Sequence, residues 1–285
     1  MKYQFIAEHR HEYAISTMCH VLEVAVSGYY AWLKRPPSRR SQQNTGLGEH
    51  IVRIYHANRQ VYGSPRIHAA LRAEGQSCGK NRVARLMRAL GLSAKPRKHR
   101  TRTTDSHHEQ PVAPNLLKRE FTATAPNTKW VADITAIWTT EGWLYLAVVL
   151  DIYSRLVVGW AMDAHRDEAL VEQAARMALA QRQPAPGLLH HSDRGSQYTA
   201  TDYRELLDQY GIIMSMSGKG DCYDNALMES FFGTLKTECV DRQSFVSRSQ
   251  ARQVIFEYLE VFYNRQRLHS SLGYLSPVIF ELRAN

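Results

Sequence analysis

One acid interrupts a strongly apolar stretch in Trp130-Val131-Ala132-Asp133-Ile134-Thr135. The β-branched and aromatic residues of 129–138 predict a buried strand with Asp133 near its middle. Burying an unpaired carboxylate costs several kcal/mol, so Asp133 needs a partner or a metal ion. The same stretch therefore indicates both where a sheet begins and where a chemical site lies.

The residues that follow predict a mixed α/β sheet. A second apolar strand is predicted over 143–153 and a third over 156–161, and the short link at Ser154-Arg155 suits an antiparallel hairpin. Two short strands are predicted over 188–191 and 212–215. Helices are predicted over 168–181, 201–210, 224–240 and 248–262. Three meandering strands followed by helix, strand, helix, strand and helix are the order of a ribonuclease-H-like fold, so we predict a five-stranded mixed sheet with flanking helices.

Two later stretches carry further acids: His191-Ser192-Asp193-Arg194-Gly195-Ser196-Gln197-Tyr198 and Asn225-Ala226-Leu227-Met228-Glu229-Ser230-Phe231-Phe232. Asp193 ends a predicted strand and precedes a glycine turn, a good position for exposing an acid at the edge of a sheet. Glu229 lies within a predicted helix whose apolar residues can anchor it to the sheet. There are 35 residues between Asp193 and Glu229. Three carboxylates carried by two strands and a packed helix would be held in fixed positions.

Three rigid carboxylates predict a catalytic site for Mg²⁺ or Mn²⁺, with two ions per active site. Magnesium takes hard oxygen ligands, and two ions about 3.5–4 Å apart can activate the attacking oxygen and stabilise the leaving oxygen at a phosphodiester. Asp133 would best bridge both ions, with Asp193 holding one and Glu229 the other. Lys236 follows Glu229 by about two helical turns on the same side, so it is a candidate contact for a DNA phosphate.

Other acids compete for a place in this site. Asp151 ends an apolar strand and could point into the same cleft. Asp221 and Asp224 precede the helix that carries Glu229, where aspartate favours a capping role. A single acid in such a position is as often structural as catalytic, but the ordered trio favours catalysis.

Charge is distributed unevenly along the chain. Of its 285 residues, 1–120 hold 21 Lys and Arg against 8 Asp and Glu, whereas the remainder hold 15 against 19. Charge that served solubility alone would not need this segregation. A basic front half joined to a mildly acidic back half favours a nucleic-acid-binding region attached to a different domain.

The basic front half predicts helices. Residues 1–40 are expected to be mostly helical, and a further helix is expected over 49–58. Ser64-Pro65 predicts an N-cap followed by proline at the first helical position. A third helix, over about 80–90, places its apolar residues on one face, and Gly91 can close it in the left-handed conformation.

These helices resemble a helix-turn-helix DNA reader, which would form an all-α region ahead of the catalytic core. Four basic residues lie largely off the apolar face of the third helix and are candidate DNA contacts: Lys80, Arg82, Arg85 and Arg88. A basic run without apolar periodicity follows and is expected to track phosphates through Arg97, Lys98, Arg100 and Arg102. The expected domains are an N-terminal helical segment (1–45), the helix-turn-helix-like domain (46–92), a basic linker (93–120) and the core with a C-terminal helical extension (121–285).

Composition argues against several classes of protein. No apolar run reaches the roughly 18 residues that a membrane-spanning helix needs. The N-terminus shows no apolar signal core, so we expect a cytoplasmic protein without a membrane partner. The four cysteines are far apart and form no paired motif, which argues against a disulfide framework and a zinc knuckle.

Further motifs bring out a family resemblance. They are Tyr62-Gly63-x-x-Arg66-Ile67 and Tyr263-Asn264-x-x-Arg267-x-His269-x-x-Leu272-Gly273-Tyr274 before Pro277. Together with Lys236 and the motifs around the three acids, they make the chain similar to the second-frame (OrfB-type) product of bacterial insertion sequences. That product is a transposase with a retroviral-integrase-type DDE core. The resemblance covers nearly the whole chain, and no catalytic acid of the pattern is missing.

The resemblance implies a metal-dependent polynucleotidyl transferase that cleaves at insertion-sequence ends and joins the 3′-hydroxyl to another strand. Its implied partners are double-stranded DNA, as terminal inverted repeats and target, and further copies of itself on that DNA, in the nucleoid of a bacterial cytoplasm. In such systems the working enzyme is often a frameshift fusion with an upstream-frame protein that supplies a leucine zipper. Because no sustained heptad repeat occurs here, that protein is a candidate fusion partner.

Two other functions remain compatible with these residues. A catalytically silent regulator would use the basic half to occupy element ends, although the intact acid trio argues against lost catalysis. A ribonuclease-H-like nuclease would cut RNA–DNA hybrids. The spacing of the acids, Lys236 and the basic front domain fit DNA recombination better.

Overall fold

The computed structural model of the chain describes residues 1–94, 112–218 and 222–284. Several predicted residues lie outside this range: Arg97, Lys98, Arg100 and Arg102 of the basic run, and the candidate cap Asp221. The chain divides into two compact units, residues 1–53 and residues 54–285.

The first unit confirms the mostly helical prediction for the N-terminus. Its helices are α1 (Lys2–Glu8), α2 (Ile15–Val21) and α3 (Val26–Lys34). A small core of buried side chains joins them, formed by Ile6, Met18, Cys19 and Tyr29. Within α3, Tyr29 stacks on Trp32 with 6.2 Å between ring centroids, so these aromatic rings serve packing inside the unit.

Helix α4 (Arg39–Ala57) begins ten residues before the predicted start at residue 49. Gly46 and Gly48 lower the intrinsic helical propensity of its first half. Leu47, Ile51 and Ile54 nevertheless recur at helical spacing and are buried. The continuous apolar face therefore outweighs the two glycines.

Two further helices, α5 (Ser64–Ala73) and α6 (Lys80–Ala89), complete the helix-turn-helix-like region. The predicted cap at Ser64 is wrong by one residue, because Gly63 occupies the N-cap position and Ser64 is already helical. Pro65 lies in the first turn, where its missing N–H leaves no hydrogen bond unmade. Gly91 closes α6 with φ of 68°, as predicted.

A five-stranded mixed sheet forms the centre of the second unit and confirms the predicted fold class. Its strands are β1 (Lys129–Thr139), β2 (Gly142–Asp151), β3 (Val157–Asp163), β4 (Leu189–Ser192) and β5 (Ile213–Met216). The strand order is β3-β2-β1-β4-β5. β1 pairs antiparallel with β2 and parallel with β4, and β2 and β3 form the expected antiparallel hairpin. Because β5 is parallel to β4, every strand except β2 runs in the same direction.

Helices flank this sheet. They are α7 (Glu168–Arg182), α8 (Ser196–Thr199), α9 (Thr201–Gln209), α10 (Ala226–Glu238), α11 (Arg248–Phe256) and α12 (Pro277–Ala284). α7, α9, α10 and the start of α11 lie close to their predicted positions, whereas α8 and α12 have no predicted counterpart. α7 packs on β2 and β3, and α10 contacts β1. Within the described ranges, no helix has the length and apolar character needed to cross a membrane.

The helix predicted over 248–262 changes geometry part-way. α11 ends at Phe256, and the chain continues in π-helical turns over Glu257–Tyr263. Asn264 then pairs with the backbone of Val157 in β3. Its Nδ2 donates to the carbonyl oxygen and its Oδ1 accepts from the N–H, both at 3.0 Å. This pairing satisfies backbone groups on an edge strand that would otherwise be open.

Gly159 in β3 offers a test of how closely α7 packs on the sheet. A Cβ atom there would lie 2.7 Å from the backbone nitrogen of Ala178 and against the carbonyl oxygen of Ala174. We expect Gly159→Ala to lower the free energy of unfolding by about 1–3 kcal/mol, because helix backbone cannot move aside locally. Urea denaturation measures the change.

The matched control is Gly46→Ala in α4, where nothing lies within 4 Å of the added Cβ atom. This variant should gain about 0.5–1 kcal/mol from higher helical propensity. A Gly159→Ala protein as stable as the original would contradict the close packing of α7.

Candidate active site

The parallel pairing of β1 and β4 aligns two of the predicted acids. Val131 pairs with His191, and the same register carried two residues further sets Asp133 opposite Asp193. β4 ends at Ser192, so Asp193 lies just beyond the strand, as predicted. Backbone pairing fixes the register as far as Val131 and His191, two residues before each acid, and the charge of Asp193 acts on Asp133.

Asp133 carries a strongly perturbed carboxyl group. It is half-buried and lies on the opposite face of the sheet from Trp130 and Ala132, which pack in the core with α7. Burial raises the pKa of Asp133 well above its ordinary value, and the neighbouring charge of Asp193 raises it further. The N–H of Ile134 donates to Oδ1 of Asp133 at 2.7 Å and opposes this shift. Two like charges held this close are unfavourable, which is the condition that a bound cation relieves.

A glycine turn presents Asp193. The N–H of Gly195 donates to Oδ1 of Asp193 at 2.9 Å. A Cβ atom at Gly195 would lie only 3.0 Å from that oxygen, so the turn leaves little space for a side chain. Nearby, Nε2 of Gln197 donates to the carbonyl oxygen of Arg166 at 3.0 Å, which ties this motif to the loop between β3 and α7.

Arg166 is a cation of the site that no sequence pattern predicts. Its positive charge lowers the pKa of Asp133 and so partly offsets burial and the charge of Asp193. Its buried Nε has no hydrogen-bond partner among the residues that the structure describes. Only the topology explains its place: β3 and β1 run in the same direction, so the loop after β3 opens at the same end of the sheet.

Glu229 is the third predicted acid and lies exposed in the first turn of α10. Its charge is the smallest of the influences that raise the pKa of Asp133. Across residues 1–94, 112–218 and 222–284, no group of three or more His, Cys, Asp or Glu side chains is placed to hold a metal ion. The structure thus brings Asp133 and Asp193 together and holds Glu229 within electrostatic range, without a closed cluster of three carboxylates.

His191, in the same motif as Asp193, braces the sheet. Its Nδ1 lies 2.8 Å from Oγ of Ser215 and its Nε2 lies 3.2 Å from Oγ of Ser217. Burial lowers the pKa of His191 to about 4. The ring is therefore neutral near pH 7 and links β4 to the chain around β5.

Asp151, which could have competed for the site, is a structural acid. Its buried carboxylate accepts hydrogen bonds from the N–H groups of Asn127 (2.7 Å), Tyr153 (2.8 Å) and Ser154 (3.4 Å). The indole Nε1 of Trp130 also donates to it at 3.2 Å. These contacts join the end of β2 to the start of β1.

Asp224 does not cap the helix that carries Glu229, so that interpretation is wrong. Asn225 occupies the N-cap position of α10 and makes no side-chain cap. Residues 222–225 form a 3₁₀ turn, and the Asp224 carboxylate accepts instead from Nδ2 of Asn115 (2.8 Å), Nε of Arg119 (2.9 Å) and the N–H of Gly218 (2.8 Å). It thereby anchors the segment that leads into the core.

Two regions of the chain match known families. Residues 42–100 match the family described as HTH-like domain. Residues 123–222 and 210–277 match families described as Integrase core domain.

Relatives match over nearly the full length. A Shigella sonnei protein, named as the uncharacterized 31 kDa protein of insertion element IS600, is 48% identical over 263 residues, covering 92% of this chain and 97% of that protein. The transposase InsF for insertion sequence IS3A from Escherichia coli (strain K12) is 43% identical over 283 residues, covering 99% and 98%. The chain belongs to the insertion-sequence transposases. The family resemblance inferred from motifs is thus confirmed.

Solved structures of retroviral integrases also match the transposase. A chain of the simian T-cell lymphotropic virus intasome has a TM-score of 0.47 and 16% identity, covering 75% of this chain and 69% of that chain. The HTLV-2 integrase catalytic core domain, in complex with magnesium, has a TM-score of 0.44 and 15% identity, covering 56% and 99%.

The transposase presents most of the predicted α6 cations to solvent. Lys80, Arg85 and Arg88 are exposed, whereas Arg82 is half-buried. Val83 and Met87 on the apolar side of the helix are buried and Leu86 is half-buried, so α6 is amphipathic as predicted, whereas Leu90 after its last turn is exposed. The three exposed cations are better placed than Arg82 to meet a DNA backbone.

Helix α10 also carries Glu238, a buried acid without a sequence signal. Arg267 donates to it from Nε and Nη2, each at 2.7 Å, and the hydroxyl of Tyr258 donates at 2.9 Å. Lys236, on the same helix, is half-buried and lies on the side that bears Glu229. The end of α10 is therefore fixed by a buried ion pair, while its beginning bears the candidate catalytic acid.

The different roles of Asp133 and Asp151 predict opposite effects on stability. In EDTA near pH 8, Asp133→Asn should raise the free energy of unfolding by about 0.5–2 kcal/mol, because it removes a buried charge beside Asp193. Asp151→Asn should lower it by about 1–3 kcal/mol, because an amide cannot accept from donors on both sides. Urea denaturation of both variants provides the measurement. Equal destabilisation by the two substitutions would show that the charge of Asp133 serves the fold.

Proposed function

We propose that this transposase cleaves DNA at the ends of its insertion sequence and joins the freed 3′-hydroxyl to another DNA strand. The observation that supports this most is the alignment of Asp133 with Asp193 inside an integrase core. Two like charges held by a rigid sheet are costly unless a cation compensates them. Phosphodiester transfer is a reaction that cations held by carboxylates can promote.

The donor set fits Mg²⁺ or Mn²⁺. Asp133, Asp193 and Glu229 offer the hard carboxylate oxygens that these ions prefer, and His191 is neutral and held by two serines. When bound, two such ions would activate the attacking oxygen and stabilise the leaving oxygen. Asp133, Asp193 and Glu229 would hold these ions. Glu229 is exposed on α10 and its charge acts on Asp133, so its carboxylate would be available to complete the set.

Cationic residues of this chain would orient the DNA. Lys236 lies on the same side of α10 as Glu229, so it would hold a backbone phosphate close to the reacting one. Arg166 would limit the repulsion between the acids and an incoming phosphate, because its charge already offsets that of Asp133. Neither role needs a covalent intermediate.

The proposed partners are nucleic acid and protein. The helix-turn-helix-like region would bind the terminal inverted repeats, and the core would engage both the cut end and the target duplex. An insertion sequence has two ends, so a homo-oligomer on DNA would supply one acid set to each end. An upstream-frame protein remains the proposed fusion partner.

Substitution of the acids tests the chemistry. Asp193→Asn and Glu229→Gln should each reduce cleavage and strand transfer by at least about 1000-fold, since several kcal/mol of transition-state stabilisation depend on the carboxylates. Labelled inverted-repeat ends with Mg²⁺ or Mn²⁺ provide the assay, with a fused form included. End binding, measured separately, should be retained.

Asp208→Asn is the matched control. Asp208 is exposed near the end of α9, and a bond of 2.8 Å from Gly187 N–H to Gly211 O places this end beside the start of β4, away from Asp193. Full activity in Asp193→Asn protein would refute the assignment. End binding without cleavage under any divalent ion would favour the silent regulator, and preferential cleavage of RNA–DNA hybrids would favour the nuclease.

The exposed face of α6 makes a separate prediction about DNA affinity. Arg85→Gln should weaken binding to specific and non-specific duplexes and reduce the slope of log affinity against log salt by about 1, because one phosphate contact is lost. Fluorescence anisotropy over a salt series measures that slope. Arg204→Gln in α9 serves as the control, and an unchanged slope in Arg85→Gln protein would exclude Arg85 from the DNA contact.

A further inference from the structure

A cleft of about 470 Å³ lies between the start of α5, with the residues just before it, and the second half of α10. One wall includes Gly63, Pro65 and Arg66, and the other includes Gly233, Thr237 and Glu238. The charged residues of its lining are Arg66, Arg242, Arg267 and Glu238. The cleft therefore joins the helix-turn-helix-like region to the helix that carries Glu229.

Two otherwise unexplained motifs meet here. Tyr62 and Arg66 come from the first motif, and Arg267 from the second. The hydroxyl of Tyr62 accepts from the N–H of Leu268 at 2.8 Å, and Nε of Arg66 donates to the carbonyl oxygen of Leu268, also at 2.8 Å. Nη1 of Arg66 lies 3.8 Å from Oε1 of Glu238, which Arg267 already holds through two hydrogen bonds. These contacts make the cleft a built feature rather than a gap between loops.

The lining carries an excess of positive charge. Three guanidinium groups, including that of Arg242, face a single carboxylate, that of Glu238. Burial lowers the pKa of Arg66, and the positive charge of Arg267 lowers it further. An anion would relieve this repulsion, and guanidinium groups bind phosphate oxygens in bidentate geometry. The hydroxyl groups of Thr234, Thr237 and Ser270 line the same space.

The position of the cleft along α10 indicates which anion enters it. Gly233 and Thr237 follow Glu229 by four and eight residues, so on a helix of 3.6 residues per turn they lie about 40° and 80° around the axis from it. At 1.5 Å per residue, the cleft begins about 6 Å along the helix axis from Glu229. Phosphates of one strand of B-DNA follow one another about every 3.4 Å along its axis. A strand that leaves the candidate active site along α10 and turns toward this side of the helix would bring its next phosphates into the cleft.

We propose that this cleft binds the DNA backbone one or two phosphates from the scissile phosphodiester, with Arg242 and Arg66 as the anion contacts. The inference rests on the proposed function, because it takes Glu229 as the position of the reacting phosphodiester. The cleft then aligns the strand after the helix-turn-helix-like region has recognised the element end.

A scan with single methylphosphonate substitutions tests this contact. Each substitution removes one phosphate charge near the scissile position of an element-end duplex, and binding and cleavage are measured with the full chain and with Arg242→Gln. In the original protein, a methylphosphonate at one or two of these positions should lower the affinity for DNA about tenfold or more. The affinity of Arg242→Gln protein for unmodified DNA should be lower by a similar factor. Methylphosphonates at the same one or two positions should not lower its affinity further. Its salt slope should fall by about 1.

Arg204→Gln, an arginine of α9, is the matched control and should keep the full methylphosphonate penalty. Arg242 is half-buried, and its described hydrogen bond, to the carbonyl oxygen of Gln60, is long at 3.5 Å, so the variant should fold. If it does not fold, the same scan on Thr237→Val decides. An undiminished penalty in the folded variant would overturn the cleft assignment. Failure of the original protein to cleave any end would refute the proposed function. The binding part of the methylphosphonate scan would still test whether the cleft contacts the DNA backbone.

Discussion

The parallel pairing of β1 with β4 is the constraint on which the candidate site depends. It sets Val131 against His191 and thereby aligns Asp133 with Asp193. A slip of one residue would turn a strand's side chains to the other face and separate the two acids. Packing fixes other parts of the sheet: α7 lies against Gly159 in β3, and His191 links β4 to Ser215 in β5. The electrostatic cost at Asp133 is therefore imposed by a sheet that cannot relax to avoid it.

A second constraint acts at the far end of α10. Glu238 is held by two hydrogen bonds from Arg267 and one from Tyr258, and Arg66 approaches the same carboxylate. Removing one partner from such a buried cluster leaves an uncompensated charge, which costs about 3–5 kcal/mol. The cluster positions the helix that carries Glu229 against the helix-turn-helix-like region. The proposed DNA recognition and the proposed chemistry would thus be mechanically joined through one helix.

Sequence patterns succeeded where periodicity and turn chemistry are local. The strand around Asp133, the hairpin after it and α6 closed by Gly91 follow from alternation, apolar spacing and a left-handed glycine. Sequence patterns failed where a side chain can bind any of several partners that are distant along the chain. Asp224 binds Asn115 and Arg119 from a preceding segment instead of capping α10. The pattern also places the start of α4 ten residues too late, because two glycines lower the helical propensity of its first half whereas burial of one continuous apolar face favours the helix.

The sequence by itself determined the class of sheet, the order of the acids and the family, because these depend on residue type and spacing along the chain. Only the tertiary structure decided which acids meet. Asp133 and Asp193 lie together, whereas the carboxylate of Asp151 accepts hydrogen bonds from backbone N–H groups and Glu229 is exposed on its helix. It also placed Arg166 beside Asp133, and it brought Arg66 and Arg267, one from each of the two further motifs, to the carboxylate of Glu238. The reason is that charges and hydrogen bonds act across space, between residues whose separation along the chain carries no information about their distance.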